Sequence, residues 1–291
     1  MLSNIHKKLI ISPSTDPYFN LAAEEFMTRN FDTTTSEYLF VYCNTPSIII
    51  GKNQNVFEEI HWDIIRNKSL PIVRRISGGG TVCHDLGNIN FSFIQSCISN
   101  KINNYSHTTG LIVKALNELK IPTYLDSRNA IRLESNHHKI SGSAQFTNQK
   151  NILSHCTLLI DSNLAAFNIA LKQNEFIIQS KSSKSVRSEI ENLWQNYQHQ
   201  IIDIPYFINQ VANVLLFKTA EEFKDEHIKA IELLSVSKYQ SDVWNYQKAA
   251  NCTIEFPQGI IKIEEGIVLD CPFNNALENI YFQRILETNH L

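Results

Sequence analysis

The rhythm of apolar and polar positions changes repeatedly along the chain, and each change predicts an element. A short apolar run at residues 8–12 reads as a strand. Residues 17–31 carry a helical repeat, with Asp16 in the N-cap position and Pro17 behind it at the first helical position. Strands follow at 38–43 and 47–50, then a helix at 56–67, then strands at 71–76 and 81–94 on either side of a glycine run. Within 88–94, Asn88, Asn90 and Ser92 alternate with Ile89, Phe91 and Phe93, which predicts a half-buried strand. A helical apolar stripe spans 107–119 and stops short of Pro122, because a proline disfavours the α region for the residue ahead of it.

Four short strand-like runs come next, at 123–125, 130–134, 139–146 and 152–161, separated by turns rich in Asn, Ser and His. A helix is expected at 163–172, a mobile basic loop at 181–185 and three helical stretches between 193 and 237. Two β segments at 253–256 and 259–270 and a last helix near 276–286 complete the chain. The sum is an α+β fold, with a mixed or antiparallel sheet flanked by helices. The change of texture near 238 divides it into a large first domain, 1–238, and a small C-terminal α+β appendage, 239–291.

Composition narrows the class. With 291 residues, 43% of them hydrophobic, the chain can bury a sizeable core. A net charge of −3 gives no overall attraction to nucleic acid or to an anionic membrane. No apolar run approaches the ~20 residues that span a bilayer, and the first eleven residues lack a cleavage pattern, so they are expected to form the first strand. The six cysteines form no C-x-x-C pair, which argues against a zinc site or a disulfide framework and points to a reducing cytoplasm.

Glycine is scarce, nine residues in all, yet Gly51, Gly78, Gly79, Gly80, Gly87 and Gly142 fall in the three segments richest in candidate chemistry. Arg74 and Arg75 lead into Ser77-Gly78-Gly79-Gly80-Thr81-Val82-Cys83-His84-Asp85-Leu86-Gly87-Asn88. Forked guanidiniums beside a pliant backbone suit a phosphate or carboxylate, although a long hairpin turn with solvated arginines would carry the same residues. In Lys139-Ile140-Ser141-Gly142-Ser143-Ala144, an ammonium among small residues could stabilise charge developing on a phosphate or a carbonyl oxygen; the alternative is a solvated lysine. His155 and Cys156 are strand neighbours pointing to opposite faces, so they do not form a nucleophile–base pair, and a buried structural cysteine is the better reading. Lys184-Ser185-Val186-Arg187 is either a lid over an anion or a solvated linker. Asp85 and Glu24 are single carboxylates and weak metal candidates.

Taken in order, the segments 16–25, 51–55, 74–88, 139–144 and 155–159 resemble the lipoate–protein ligase A family over roughly residues 8–220. The resemblance implies a fold related to biotin protein ligases and a two-step reaction. ATP and lipoate (or octanoate) would give the acyl adenylate and pyrophosphate, with Mg2+ in attendance. The ε-amine of a lysine on an apo lipoyl domain of a 2-oxoacid dehydrogenase E2 subunit, or on the glycine cleavage H protein, would then take the acyl group. Arg75, Ser77 and the Gly78–Gly80 loop would line the acyl and adenylate pocket, and Lys139 would bridge carbonyl and phosphate oxygens. His84, Asp85, Asn88, Asn129, Ser141, Gly142, Thr157 and Arg187 would support the pocket or the nucleotide, and His155 would lie near the acyl group. Val82, Phe91 and Leu158 would be apolar walls.

Three departures from the family bear on this. Ser127-Arg128-Asn129-Ala130 stands where ligases have a Gly-Arg-Asn-Asp turn, so the acid linked to magnesium–ATP is absent at position 130. Cys156 replaces a glycine common in bacterial ligases, and the C-terminal segment is short for an accessory domain. The readings that remain are a self-sufficient ligase, a lipoyl or octanoyl transferase fed with a preformed adenylate or another acyl donor, and a silent lipoate- or lipoyl-domain-binding protein. Biotin ligation lacks its Gly-Arg-Gly-Arg loop here. Lys181, Lys184 and Arg187 are expected to face an acidic acceptor.

Overall fold

In the computed structural model, which describes residues 5–98 and 101–288, regular structure begins with strand β1 (His6–Ile11) and helix α1 (Pro17–Asn30). The helix starts where the N-cap pattern predicts, with the Asp16 carboxylate accepting from the Tyr18 amide at 3.0 Å. Strands β2 (Ser36–Tyr42) and β3 (Ser47–Ile50) follow, then helices α2 (Val56–Glu59) and α3 (Trp62–Asn67) and strands β4 (Ile72–Arg74) and β5 (Val82–His84). The middle of the chain holds β6 (Asn88–Ser96), α4 (Thr109–Glu118), β7 (Thr123–Leu125), β8 (Ile131–Leu133), β9 (Lys139–Ser141), β10 (Ser143–Thr147) and β11 (Asn151–Leu159). Then come α5 (Leu164–Ala170), β12 (Ile177–Ser180), α6 (Trp194–Tyr197), α7 (Ile204–Val214), β13 (Thr219–Ala220) and α8 (Asp225–Leu234). Two π-helical turns, Ser235–Tyr239 and Val243–Gln247, precede β14 (Cys252–Phe256), β15 (Gly259–Glu264), β16 (Ile267–Asp270) and α9 (Phe282–Thr288).

These elements form two units from interleaved segments. The first takes the chain up to Thr45, His84–Ser162 and Arg187–Ser235; the second takes Pro46–Cys83, Asn163–Val186 and the chain from Val236 onward. The C-terminal segment therefore shares its unit with two earlier stretches. Among the described residues, no helix is long and apolar enough to cross a membrane.

The first unit is organised on a six-stranded mixed sheet in the order β10-β11-β6-β2-β1-β13. β1 runs parallel to β2 and β13, and the other pairs are antiparallel. One face packs Ile89, Phe91, Phe93, Cys156 and Leu158 against Ile112 and Leu116 of α4 and Phe207 and Val211 of α7 in the main core. α1 covers the other face. That helix explains a departure from expectation: β6 is not half-buried, since Asn88, Asn90 and Ser92 are at most 3% exposed. The polar stripe finds partners within the protein: Ser92 donates to Glu24 of α1, Asn90 to the Tyr42 carbonyl and Asn88 to Asn90.

Two predicted strands break at turns. Residues 81–94 divide at 85–87, where the Asp85 carboxylate accepts from the Gly87 amide at 2.9 Å. Residues 139–146 divide at Gly142, which passes the chain from the three-stranded sheet β7-β8-β9 to the six-stranded one.

The second unit contains the three-stranded sheet β4-β3-β5 and the four-stranded antiparallel sheet β12-β14-β15-β16. Its core brings Trp62 into a stack on Phe176 at 5.1 Å and both Trp62 and Phe57 edge-on to Phe282. The helix expected over 56–67 is two, α2 and α3. Asn174 sits in the break, donating to the carbonyls of Phe57 and Ile60 and accepting from the Trp62 amide. Strand β12, just ahead of the basic loop, was not anticipated from the sequence.

Candidate active site

The glycine loop belongs to the second unit, and its geometry starts from the alternation of β4. Arg74 and Arg75 are consecutive and so point to different neighbours. Arg74 is fully buried, and its guanidinium donates to the main-chain carbonyls of Gly51, Lys52, Gln54, Trp244 and Asn245 at 2.7–3.3 Å. Burial and the charge of Arg75 push its guanidinium down to about 10. Arg75 folds back on the loop it precedes. Its Nη2 donates to the carbonyls of Gly78 at 2.6 Å and Gly80 at 2.7 Å, and its Nε to Ser77 Oγ at 3.0 Å. The fork expected to meet an anion thus also staples the loop into shape.

Gly79 has φ +85°, a conformation an L-residue resists, and its carbonyl lies where a side chain on Gly51 would be, 2.1 Å from that Cβ position. A Cβ on Gly78 would meet nothing within 4 Å, so the middle of the loop opens onto free space. Thr81 and Gln54 both donate to Ser185 Oγ, at 2.8 and 3.0 Å, and the Ser185 amide donates to Glu59 at 3.0 Å. Glu58 holds Lys184 at 2.8 Å and accepts from Ser180 and Ser182. Lys184, expected to face an acceptor, is paired with Glu58 while its side chain stays 62% exposed. The adjacent acids Glu58 and Glu59, absent from the sequence-derived site, anchor the 180–185 segment. Val82 is half-buried in β5.

The remaining candidates belong to the first unit. Lys139 opens β9, and its Nζ lies 3.4 Å from the position of a Cβ on Gly142, so the ammonium packs over that glycine. The Lys139 amide and carbonyl bond the main chain of Glu189 and Glu191, while the Glu191 carboxylate accepts from Asn136 and pairs with His138 Nδ1 at 2.8 Å. Burial, then the charges of Arg132 and Arg128, lower the Lys139 pKa, and Asp126 opposes them. Asp126 was missed in the sequence because it precedes the family turn. It organises that turn, accepting from the amides of Arg128 and Ala130 and from Arg132 Nε at 2.6 Å. Asn129 is left-handed at φ +62°, and its carbonyl takes the Ser143 hydroxyl. Ser141 is buried, and Thr157 Oγ1 accepts from the Gly142 amide at 3.0 Å.

His155 and Thr157 of β11 lie opposite Ser92 and Asn90 of β6, on the face under α1. His155 Nδ1 pairs with Glu24 Oε1 at 2.9 Å, and the same oxygen accepts from Tyr42 and Ser92. Burial alone would raise the Glu24 pKa, but the His155 charge and these three donors win and hold it below the usual carboxylate value. Cys156 and Leu158 take the opposite face with Phe91. Phe91 and Leu158 are thus core residues and not walls beside His155, and burial pushes the Cys156 thiol up to about 12, which rules it out as a ready nucleophile.

His84 Nδ1 lies 2.9 Å from the Asn44 amide nitrogen, which continues through Asn20 to Ser12. Asn88 is buried and donates to Asn90. Arg187 is exposed. Among the described residues there is no group of three or more His, Cys, Asp or Glu that could hold a metal ion.

Residues 16–216 match the model of the lipoyl protein ligase A/B catalytic domain. Lipoate–protein ligase 1 of Staphylococcus aureus is 40% identical over 257 residues, covering 87% of this chain and 76% of that protein. Lipoate-protein ligase LplJ of Bacillus subtilis is 36% identical over 273 residues, covering 88% and 80%. Among solved structures, a lipoate-protein ligase A bound with ATP superposes with a TM-score of 0.70 at 21% identity, covering 84% of this chain and all of that one. A bipartite lipoate protein ligase from Thermoplasma acidophilum, studied with its E2 lipoyl domain, gives 0.69 at 21% identity, covering 85% and 98%. The α+β fold with mixed sheets flanked by helices is the one its sequence predicts, and the chain belongs to the lipoate–protein ligase family, an enzyme family.

Proposed function

We propose that the protein joins lipoate to a specific lysine of an apo lipoyl domain at the expense of ATP. A lipoate carboxylate oxygen attacks the α-phosphorus and pyrophosphate leaves; the neutral acceptor amine then attacks the acyl carbon, AMP departs with the electron pair of the acyl–oxygen bond, and the nitrogen gives up a proton to solvent to leave the amide. Neither step needs a protein nucleophile. Both need charge stabilised on the acyl and phosphate oxygens. The observation that carries the reading is Lys139, a half-buried ammonium set over Gly142 in a strand held on both main-chain groups by residues 189–191. It is the group suited to bridge the carbonyl and the α-phosphate.

The stapled Gly78–Gly80 loop, with Arg75 and Ser77, would meet the adenylate, and Gly78 leaves room for it. His155, fixed by Glu24, would lie along the acyl chain, and His84, Asp85, Asn88, Asn129, Ser141, Thr157 and Arg187 would support substrate or nucleotide. ATP as the activating substrate is supported by the nucleotide-bound structural relative. The carboxylates near Lys139 do not fit a Mg2+ site of the protein's own, since Asp126 is committed to Arg132 and two amides and position 130 is a buried alanine. Octanoate and the glycine cleavage H protein are further substrates of the same chemistry.

Ala130 also favours one second reading, a transferase that accepts a preformed adenylate. Mass spectrometry of an apo lipoyl domain separates the two. With lipoate and magnesium-ATP, a gain of one lipoyl group is expected; a gain only with preformed lipoyl-AMP means transfer without activation, and no gain in either sinks both.

A further inference from the structure

The second unit contains a cleft of about 1020 Å³ that the chemistry above does not use. Three lysines line it, Lys181, Lys238 and Lys248, against a single acid, Glu265, so the cleft is positive on a chain whose net charge is −3. Trp244 is its aromatic wall. The indole is fixed, with Nε1 donating to the Arg74 carbonyl at 2.7 Å, and the Trp244 carbonyl accepts from the Arg74 guanidinium at 2.9 Å. Lys238 Nζ stands 4.0 Å and Lys248 Nζ 5.2 Å from the ring centroid, so a rigid aromatic ring orders two ammoniums. Lys238 and Trp244 both come from π-helical turns, a rare geometry that is frequent at functional sites.

We propose that this cleft docks the acidic face of the acceptor domain. The proposal rests on the ligase reading and adds the surface by which the acceptor is recognised. A fixed tryptophan is the kind of aromatic anchor that carries binding energy at protein interfaces. The charges are separate ammonium points, which suit carboxylates spread over a surface, whereas a single phosphate is better met by a guanidinium fork. Of the expected trio, Lys181 lines the cleft while Lys184, paired with Glu58, and Arg187 lie outside its lining; Lys238 and Lys248 extend the basic surface.

The test compares the full chain with Lys181→Glu/Lys248→Glu, which leaves the closest indole contact intact, and with the triple variant that adds Lys238→Glu. Transfer from preformed lipoyl-AMP to an apo E2 lipoyl domain is followed at low and physiological ionic strength, beside lipoate-dependent ATP–pyrophosphate exchange without acceptor. The expected result is an acceptor KM raised about tenfold or more, a flattened salt dependence, and unchanged kcat and exchange. An unchanged KM and salt slope overturn the proposal, as does a loss confined to exchange, which would make the cleft a phosphate site. Calorimetric titration with the apo domain, which needs no catalysis, decides the docking separately from the ligase reading: about tenfold weaker binding by the variants supports it, and equal binding overturns it.

Discussion

In the proposed reaction Lys139 would have to carry its proton to stabilise an oxyanion, and its surroundings make that proton easier to lose. Burial, Arg132 and Arg128 lower its pKa below 10.5, with Asp126 pulling the other way. The group is charged below its folded-state pKa, so activity falls as pH rises through a value lower than an ordinary lysine's. Asp126→Asn removes the one opposing acid and should move the alkaline limb of the kcat/KM profile further down, while Lys139→Met should lower kcat about 10²–10³-fold. An alkaline limb that stays put in Asp126→Asn would disconnect this lysine from the chemistry. At this scale the sequence was partly legible. It marked Lys139, Gly142 and the paired arginines, because unusual residues in tight spacing carry their own signal. It did not disclose that Arg75 staples its loop, nor the roles of Asp126, Glu24 and Glu59, since an acid's partner depends on strands far away in sequence.

Between elements, one side chain holds α2 and α3 apart. Asn174 satisfies two carbonyls and one amide at the break, so Asn174→Ala leaves helix-end groups without their partner and should cost about 1–3 kcal/mol. Denaturant unfolding reads this directly, and an unchanged midpoint would mean solvent replaces the amide. Periodicity could not show the break, because the apolar stripe continues across it and the residue that causes it lies over a hundred positions away. The same holds for β12, whose partner β14 is some seventy residues downstream. For β6 the alternation was right and its meaning wrong: Asn88, Asn90 and Ser92 do share a face, but a helix with its own polar groups covers it. Capping signals fared best, as at Asp16 and Pro17, because they are satisfied within a few residues of where they are written.

On the scale of the molecule, the interleaving of the two units matters most. Removing residues after 238 deletes β14, β15 and β16, takes the partner from β12, and removes Phe282 from Phe57 and Trp62. A chain ended there should lose amide hydrogen-exchange protection in α2, α3 and β12 while β6 and β11 keep theirs. Full protection of α2 and α3 in that chain would show that the C-terminal segment is a dispensable addition.

Synthesis runs from the N-terminus, and Arg74 emerges long before Trp244 and Asn245, whose carbonyls cage it. Until they arrive, the nascent chain holds a cation that it cannot bury at low cost. The second unit can bury this guanidinium fully only once residues 244 and 245 are present, so a chain stopped before them should leave Arg74 short of acceptors and that unit easier to open.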